Sequence, residues 1–278
     1  MTSTPADFHP ETTIRHKPPL SVYGWNQGTG GTFWYRIAEP LRGLAFRGHS
    51  VASGASLHDG TLQDFDIILT HMLHDPHGSE AWQKIARYGR QKLVLDVDDD
   101  VWNFDPRTDT HDYWTNERLR QLQDNIVAAD LVTTPSESLA DILRELNPNV
   151  VVLPNCVPDW LLRHEPMRPR KRFVKGYQGA RQHTVDVQTI AQDVWHILNR
   201  HRNARIHIYG ELNPIGWPNG RVIRTGWRSH VPDYYRGLSM SIGLGPLAPI
   251  PFNYQKSAIR AIEYAALGFP CILTDVPA

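Results

Sequence analysis

Hydrophobic positions along the chain fall into short apolar runs separated by stretches with helical spacing. Leu20 to Gly24 opens as a short strand, and a glycine-rich turn (Gly28, Gly30, Gly31) leads into a helix whose apolar side includes Ile37, Leu41 and Leu44. "DFDIILTHML" predicts a buried strand ending near His71, "SEAWQKIARYGRQ" a helix, and "KLVLDVDDD" another strand. A helix around Asn116 to Ala129, the strand "LVTT" and the helix "SESLADILREL" follow, and "NVVVLPN" closes this half as a strand. Thr134, Pro135, Ser136 and Glu137 read as a capping box with proline at the first helical position. The run "CVPDWLLRHEPMRPRKR" then breaks the rhythm with prolines and a basic cluster, Arg168, Arg170, Lys171 and Arg172. It reads as a linker, with the cluster as a solvated hinge.

Beyond the linker the alternation restarts. "FVKGYQG", "RIHIYG", "RVIRTG", "MSIGLGP" and "CIL" read as strands, with helices at "DVQTIAQDVWHILNRH", "VPDYYRGL" and a last apolar segment from Asn253 to Gly268. Strands alternating with helices imply mostly parallel, doubly wound sheets of about five strands each. The expected organisation is a flexible segment over 1–19, a Rossmann-like domain over 20–157, a linker over 158–172 and a second Rossmann-like domain over 173–278. In such folds ligands bind beyond the carboxyl ends of the strands. The sequence stops at "ILTDVPA", straight after a strand, so the second domain is expected to be incomplete.

Composition adds exclusions. The 278 residues suit two domains of roughly 100–150 residues each. With 29 basic and 29 acidic residues the net charge is zero, and no nucleic-acid partner is expected. Cys156 and Cys271 lie far apart and outside any C-x-x-C, which predicts free thiols in a reducing compartment, although two cysteines could pair. The opening "MTSTPADFHPETTIRHKPP" lacks the apolar core of a signal peptide, and no stretch approaches the roughly 20 apolar residues of a membrane span. A soluble cytoplasmic protein is the expectation.

Candidate chemistry concentrates in the last helix. Lys256, Arg260 and Glu263 fall on one face, while Ala258, Ile259, Ile262, Ala265 and Ala266 form a separate stripe suited to packing on a sheet. Asn253 is placed to cap its start, Gly268 its end, and Pro270 to stop it. Such a charged face is either solvated or a binding surface. Elsewhere, "LDVDDDVW" sets Asp96, Asp98, Asp99 and Asp100 at a strand end, where carboxylates are able to hold Mg²⁺. A D-x-D-x-T phosphatase loop, whose first Asp is a nucleophile, would need threonine or valine at Asp100. His71, His74 and His77 are three apart, a weak zinc pattern with no fourth ligand. Gly30 and Gly31 permit close backbone approach to a phosphate or sugar, or else tight strand–helix packing. Trp217 and Trp227 either stack on a base or pack internally.

The segment "FNYQKSAIRAIEYAALGFPCILTD" resembles the donor-site helix of GT-B glycosyltransferases of family 4 (group 1), in particular a subgroup with an F-N-x-x-K-S-x-x-R-x-x-E-Y helix. Glu263 matches the second glutamate of the family signature, and Gln255 stands where the first would be. "GTGGTFWYRIAEPLRGLAFRGHSV", "VVVLPNCV", "GYQGARQHTVDV" and "TGWRSHVPDYYRGLSMSIGLGPL" agree with other family segments in the same order, so the resemblance covers about residues 20 to 276. It implies a nucleoside-diphosphate-sugar donor, an unidentified acceptor, retention of configuration and no metal or other cofactor. Lys256, Arg260 and the helix start over Asn253 to Ser257 would bind the diphosphate. Glu263 would take the ribose, Gly179, Arg181 and His183 would line the donor side, and Trp227 would lie near the base. His71 would stand beside the reacting sugar. Asp96, Asp98 and Asp99 would face the cleft, touching the acceptor or orienting a loop. Two other readings stay open: a non-catalytic or truncated nucleotide-sugar-binding module, and a Mg²⁺-dependent phosphohydrolase built on Asp96 and Asp98.

Overall fold

The computed structural model describes residues 18–26, 30–165, 173–179, 183–212, 216–218 and 220–276. The first sheet contains β1 (Ser21–Trp25), β2 (Ser50–Gly54), β3 (Ile67–His71), β4 (Lys92–Asp96), β5 (Leu131–Thr134) and β6 (Val150–Val152). Every pairing is parallel and the order is β2-β1-β3-β4-β5-β6. The second sheet contains β7 (Phe173–Gly179), β8 (Ala204–Gly210), β9 (Val222–Thr225), β10 (Ile242–Gly245) and β11 (Cys271–Leu273), also all parallel, in the order β11-β10-β7-β8-β9. The winding direction reverses between β1 and β3 in one sheet and between β7 and β10 in the other. Such reversals open a crevice at the carboxyl ends of the strands.

The first sheet has one strand more than its apolar runs predict. The extra strand is β2, "SVASG", which pairs with β1 alone and buries none of its residues fully. An edge strand of this kind has no apolar run to announce it.

Helices cover both sheets. The helix after the glycine turn starts at Gly31–Phe33, passes through a π-helical turn at Trp34–Ala38 and continues as Glu39–Phe46. It lies so close to β1 that a Cβ on Gly24 would meet Leu41 at 2.5 Å and Ile37 at 2.9 Å. The core of the first domain gathers Ile68, Leu93, Leu95, Trp82, Ile126 and Leu139. In the second domain, Tyr177, Ile206, Ile208 and Leu198 pack on one side of the sheet, and Tyr235, Tyr264 and Leu267 on the other.

Some local expectations are corrected. The helix Glu137–Arg144 is capped by Ser136, whose Oγ accepts from the Leu139 N–H at 3.4 Å, and not by Thr134. Thr134 belongs to β5, where it pairs with Val152, so Pro135 precedes the cap instead of opening the helix. Within the expected linker, Asp159–Leu162 forms a short helix whose Leu161 is fully buried with Tyr209 and Tyr235. The linker's basic cluster lies outside the described residues. Finally, the last helix is two pieces, Pro251–Tyr254 and Ile259–Ala266, separated by a turn over 255–258.

Asn253 therefore caps nothing. It is buried inside the first piece, where its Nδ2 donates to Asp186 Oδ1 at 2.6 Å and to the Ala248 carbonyl at 3.0 Å. Gly268 does end the second piece, with φ of 63°. Gly268 N–H donates to the Ala265 carbonyl and Phe269 N–H to that of Tyr264, which is the Schellman pattern.

The first piece of that helix leaves its own domain. Phe252 enters the core of the first domain with its ring 4.4 Å from that of Phe104. Ser136 Oγ donates to the Gln255 carbonyl at 2.8 Å, and Ser138 Oγ to that of Tyr254 at 3.1 Å. Both cysteines are exposed free thiols, and among the described residues no helix is long and apolar enough to cross a membrane.

Phe252→Ala should cost about 3–5 kcal/mol, the range for deleting a buried phenyl ring. Because the ring joins the two domains, scanning calorimetry is expected to show one unfolding transition in the parent and two in the variant.

Candidate functional site

A cavity of about 540 Å³ lies between the carboxyl edges of the two sheets. On the first-domain side it is bordered by Gly30, Gly31, Asp98 and Asp99, and on the second-domain side by Gly179, His183, Trp227 and the stretch from Lys256 to Arg260, with Glu263 below. Gly30 has φ of 134° and ψ of −166°, a conformation only glycine adopts readily, and it opens the helix with its carbonyl accepting from Trp34 N–H at 3.0 Å. A Cβ on Gly31 would meet nothing within 4 Å, so its backbone faces open space.

Beneath the cavity lies a buried ion pair. Arg36 reaches from the π-helical turn to Asp96 at the end of β4, Nε to Oδ1 at 2.9 Å and Nη2 to Oδ2 at 2.7 Å. Thr133 Oγ1 also donates to Asp96 Oδ2, at 2.5 Å. The remaining Arg36 nitrogen, Nη1, donates to the Leu153 carbonyl at 2.7 Å and to Asn155 Oδ1 at 3.0 Å. Asn155 Nδ2 in turn donates to Ser257 Oγ at 2.8 Å, carrying the network into the second domain.

This arrangement corrects the reading of Asp96 as a cleft residue. It is fully buried with its oxygens committed to Arg36 and Thr133, so it presents neither a nucleophile nor a metal ligand to the cavity. The phosphohydrolase reading falls with it. Asp100 turns away as well and accepts from Asn103 Nδ2 at 2.7 Å.

The other two carboxylates of the acidic loop reach the cavity. Asp98 Oδ1 lies 2.8 Å from His71 Nε2. Burial pushes the His71 imidazole down, but the Asp98 carboxylate outweighs it and leaves its pKa raised. Burial likewise pushes Asp98 up, and His71, Lys256 and Arg36 more than offset it. His71 stands behind Asp98 and does not border the cavity. The backbone just after it is strained, Met72 having φ of 48°.

Asp99 Oδ1 lies 2.5 Å from Lys256 Nζ, an ion pair between the two domains. That ammonium also sits 4.0 Å from the centroid of Phe252. Burial raises the Asp99 pKa despite the opposing pull of Lys256.

Arg260 is one turn deeper, its guanidinium carbon 5.1 Å from the centre of the Tyr177 ring. Burial disfavours its charge, but Tyr177, Tyr264, Tyr234 and Glu263 around it hold the pKa up. Glu263 Oε1 accepts from Tyr235 Oη at 2.9 Å and from Tyr35 Oη, which comes from the opposite domain.

His183 Nδ1 donates to Asp186 Oδ2 at 2.7 Å. Burial, with help from Arg260 and Lys256, lowers its pKa to about 4, so the ring is neutral at pH 7. The other Asp186 oxygen accepts from Ala248 N–H at 2.8 Å and from Asn253 Nδ2, which seats the short helix carrying Phe252.

Two further expectations resolve. Trp217 is buried in the second-domain core, donating from Nε1 to the Ala191 carbonyl at 2.9 Å, so it stacks on no ligand. Trp227 is 52% exposed at the cavity rim. Of the histidine triplet, His71 goes to Asp98, His74 Nε2 to Tyr113 Oη at 2.8 Å, and His77 to the surface. Among the described residues no three His, Cys, Asp or Glu side chains form a metal-holding group. Gly28 and Arg181 lie outside the described residues.

Sequence reasoning missed Tyr35, Arg36, Asn155 and Asp186. Arg36 left a trace, as a charge immediately before the apolar side of its helix, and Asp186 another, three residues after His183. Asn155 sits in the quoted segment "VVVLPNCV" without a role of its own being read from it, and Tyr35 left no trace.

No protein-family profile matches this chain, and no curated protein does either. Solved structures do. Sucrose-phosphate synthase from Thermosynechococcus elongatus superposes with a TM-score of 0.62 at 14% identity, over 93% of this chain and 82% of that one. The fold is GT-B. TarM gives a TM-score of 0.52 at 12% identity, and the chain spans only 41% of its length while 76% of the chain is covered. A putative UDP-N-acetylglucosamine 2-epimerase from Listeria monocytogenes gives 0.51 at 13% identity, over 92% of this chain and 79% of that one. At such identities the likeness is one of GT-B architecture, and it puts the cavity in the crevice between the two GT-B domains.

Arg36→Met strands a buried Asp96 and should cost about 3–5 kcal/mol in urea unfolding. A second expectation concerns pH. His183 and His207 both have folded pKa values of about 4, His207 through burial. Their folded values lie below the unfolded value near 6.5, so their contribution is complete above that pH and is lost as pH falls toward 4. Thermal midpoints should drop between pH 7 and 5, and His207→Gln should flatten that drop.

Proposed function

We propose that the chain is a glycosyltransferase, moving a sugar from a nucleoside-diphosphate-sugar to a glycan, lipid, protein or small-molecule acceptor, with retention and without a metal. The observation that carries this is one wall of the cavity. Lys256, Arg260, the first turn of the Ile259–Ala266 helix and Glu263 stand together there, facing the Gly30–Gly31 turn.

The N–H groups of that first turn have no acceptor within the helix, and the helix dipole adds to the two cations, so a diphosphate is matched in charge and in hydrogen bonding. The anion-binding end thus lies over Ala258 to Ala261, one turn later than the sequence alone suggests. Glu263, oriented by Tyr35 and Tyr235, accepts from ribose hydroxyls. Gly179 and His183 form the floor, and Trp227 offers a face to the base. As the sugar–phosphate bond breaks, charge grows on the leaving diphosphate, and Lys256 and Arg260 stabilise it more than they stabilise the intact donor. Asp98, with His71 behind it, faces the position of the sugar from the acceptor side.

Names among the structural neighbours fit this reading, including a Staphylococcus aureus MnaA structure with UDP, at a TM-score of 0.50 and 12% identity over 92% of this chain and 79% of that one. A reducing cytoplasm suits the two exposed thiols. A binding module without turnover is the second reading, favoured by Gln255 standing at the signature glutamate's position.

Thermal shift with UDP, GDP, ADP and their sugar conjugates, with and without Mg²⁺, tests the reading. A ligand at 100 times its Kd adds about 2.7 kcal/mol. One nucleotide family is expected to stabilise the parent without metal and to lose its effect in Arg260→Ala. No shift with any nucleotide would remove the proposal, and binding with no release of nucleotide from any donor would leave the binding module.

A further inference from the structure

Asp96, Asp98 and Asp99 of the acidic loop have different fates. Asp96 is locked to Arg36 and Asp98 to His71, both partners lying in the same domain. Asp99 alone of the three crosses to the other domain, where its Oδ1 meets Lys256 Nζ at 2.5 Å. Both of these side chains border the cavity, 20% and 16% exposed. Lys256 has little freedom to turn elsewhere, because it follows the short helix whose Phe252 is anchored in the first domain and whose ring lies under the ammonium.

An anion that binds Lys256 from the cavity therefore meets a carboxylate already on that cation. Resting on the nucleotide-sugar reading above, we propose that Asp99 is a gate on the phosphate subsite, an internal competitor that a diphosphate displaces from Lys256. The exchange is favourable because a diphosphate brings more charge and more acceptor oxygens than one carboxylate, and Arg260 and the helix N-terminus add to its hold. Asp99 swings only as far as the cavity it already borders.

The gate has a defined thermodynamic form. A ligand that needs the Lys256 ammonium binds with its intrinsic affinity multiplied by the fraction of molecules in which Asp99 is displaced. That factor is the same for every anion using Lys256, and it is absent for a ligand that does not use it. Removing the carboxylate should thus tighten nucleoside diphosphates and inorganic pyrophosphate alike and leave nucleosides unchanged. The effect must run through Lys256, whereas a general change in local charge would persist without it.

Calorimetric titration of UDP, GDP, ADP, the three nucleosides and inorganic pyrophosphate tests this on the full chain. The variants are Asp99→Asn, Lys256→Ala and the pair combined, with Asp99→Ala as a second replacement should the amide disturb folding. Asp99→Asn is expected to tighten the preferred nucleoside diphosphate and pyrophosphate by about tenfold, 1.4 kcal/mol. The gain should vanish on the Lys256→Ala background. Equal or weaker binding in the Asp99 variants overturns the gate, as does a gain that survives Lys256→Ala. If no nucleotide binds any variant, the glycosyltransferase reading fails. The gate is then decided by pyrophosphate alone, which must still bind more tightly without the Asp99 carboxylate.

Discussion

Among the described residues, Arg36 gathers several buried commitments around one guanidinium. Its guanidinium spans two oxygens of Asp96, a backbone carbonyl after β6 and the amide of Asn155, and through Asn155 it reaches Ser257. A guanidinium and a carboxylate buried this deeply would be costly apart, and their planar, two-point match is what makes burial tolerable. The consequence is geometric. β4, β5, the chain after β6 and the glycine-turn helix are held in one arrangement, and the loop after Asp96 emerges from a fixed point. Asp98 and Asp99 can face across the crevice because Asp96 does not.

One short stretch of the second domain meets this frame at several points. Between Phe252 and Ser257 the chain places a ring in the first domain's core, two carbonyls on Ser136 and Ser138, a lysine on Asp99 and a hydroxyl on Asn155. Glu263 and Tyr35 add a contact deeper in the crevice. Lys256 and Glu263, two of the residues that would hold the donor, thus also join the domains.

The sequence revealed the parts of this structure that repeat and concealed those that interrupt. Strand and helix alternation, the strand ends at His71 and Asp96, and the turn after Gly268 follow from apolar spacing and from glycine chemistry. Lys256, Arg260 and Glu263 do border one cavity, but Lys256 stands in the turn over 255–258 and not on one helix face with the other two, so helical spacing is not what gathers them. β2 escaped because an edge strand needs no apolar run. Asn253 misled because a polar residue ahead of an apolar helix looks like a cap, whereas here its amide serves Asp186 from the inside of a separate turn of helix. Pro251 was the available clue, since proline favours the first position of a helix and marks a start ahead of Asn253. Tertiary partners such as Tyr35 with Glu263, 228 positions apart, leave no local pattern to read.

The anchored ring of Phe252 also bears on how modular this chain is. GT-B proteins look like two units that could be exchanged at the linker, yet here part of one unit's core is encoded in the other. A hybrid joining the first half of this chain to the second half of a distant homologue would inherit a socket beside Phe104 with nothing shaped to fill it. The workable boundary for such recombination would keep Phe104, Ser136 and Ser138 with the segment from Ile250 to Ser257, pieces far apart in the chain that behave as a single inheritable unit.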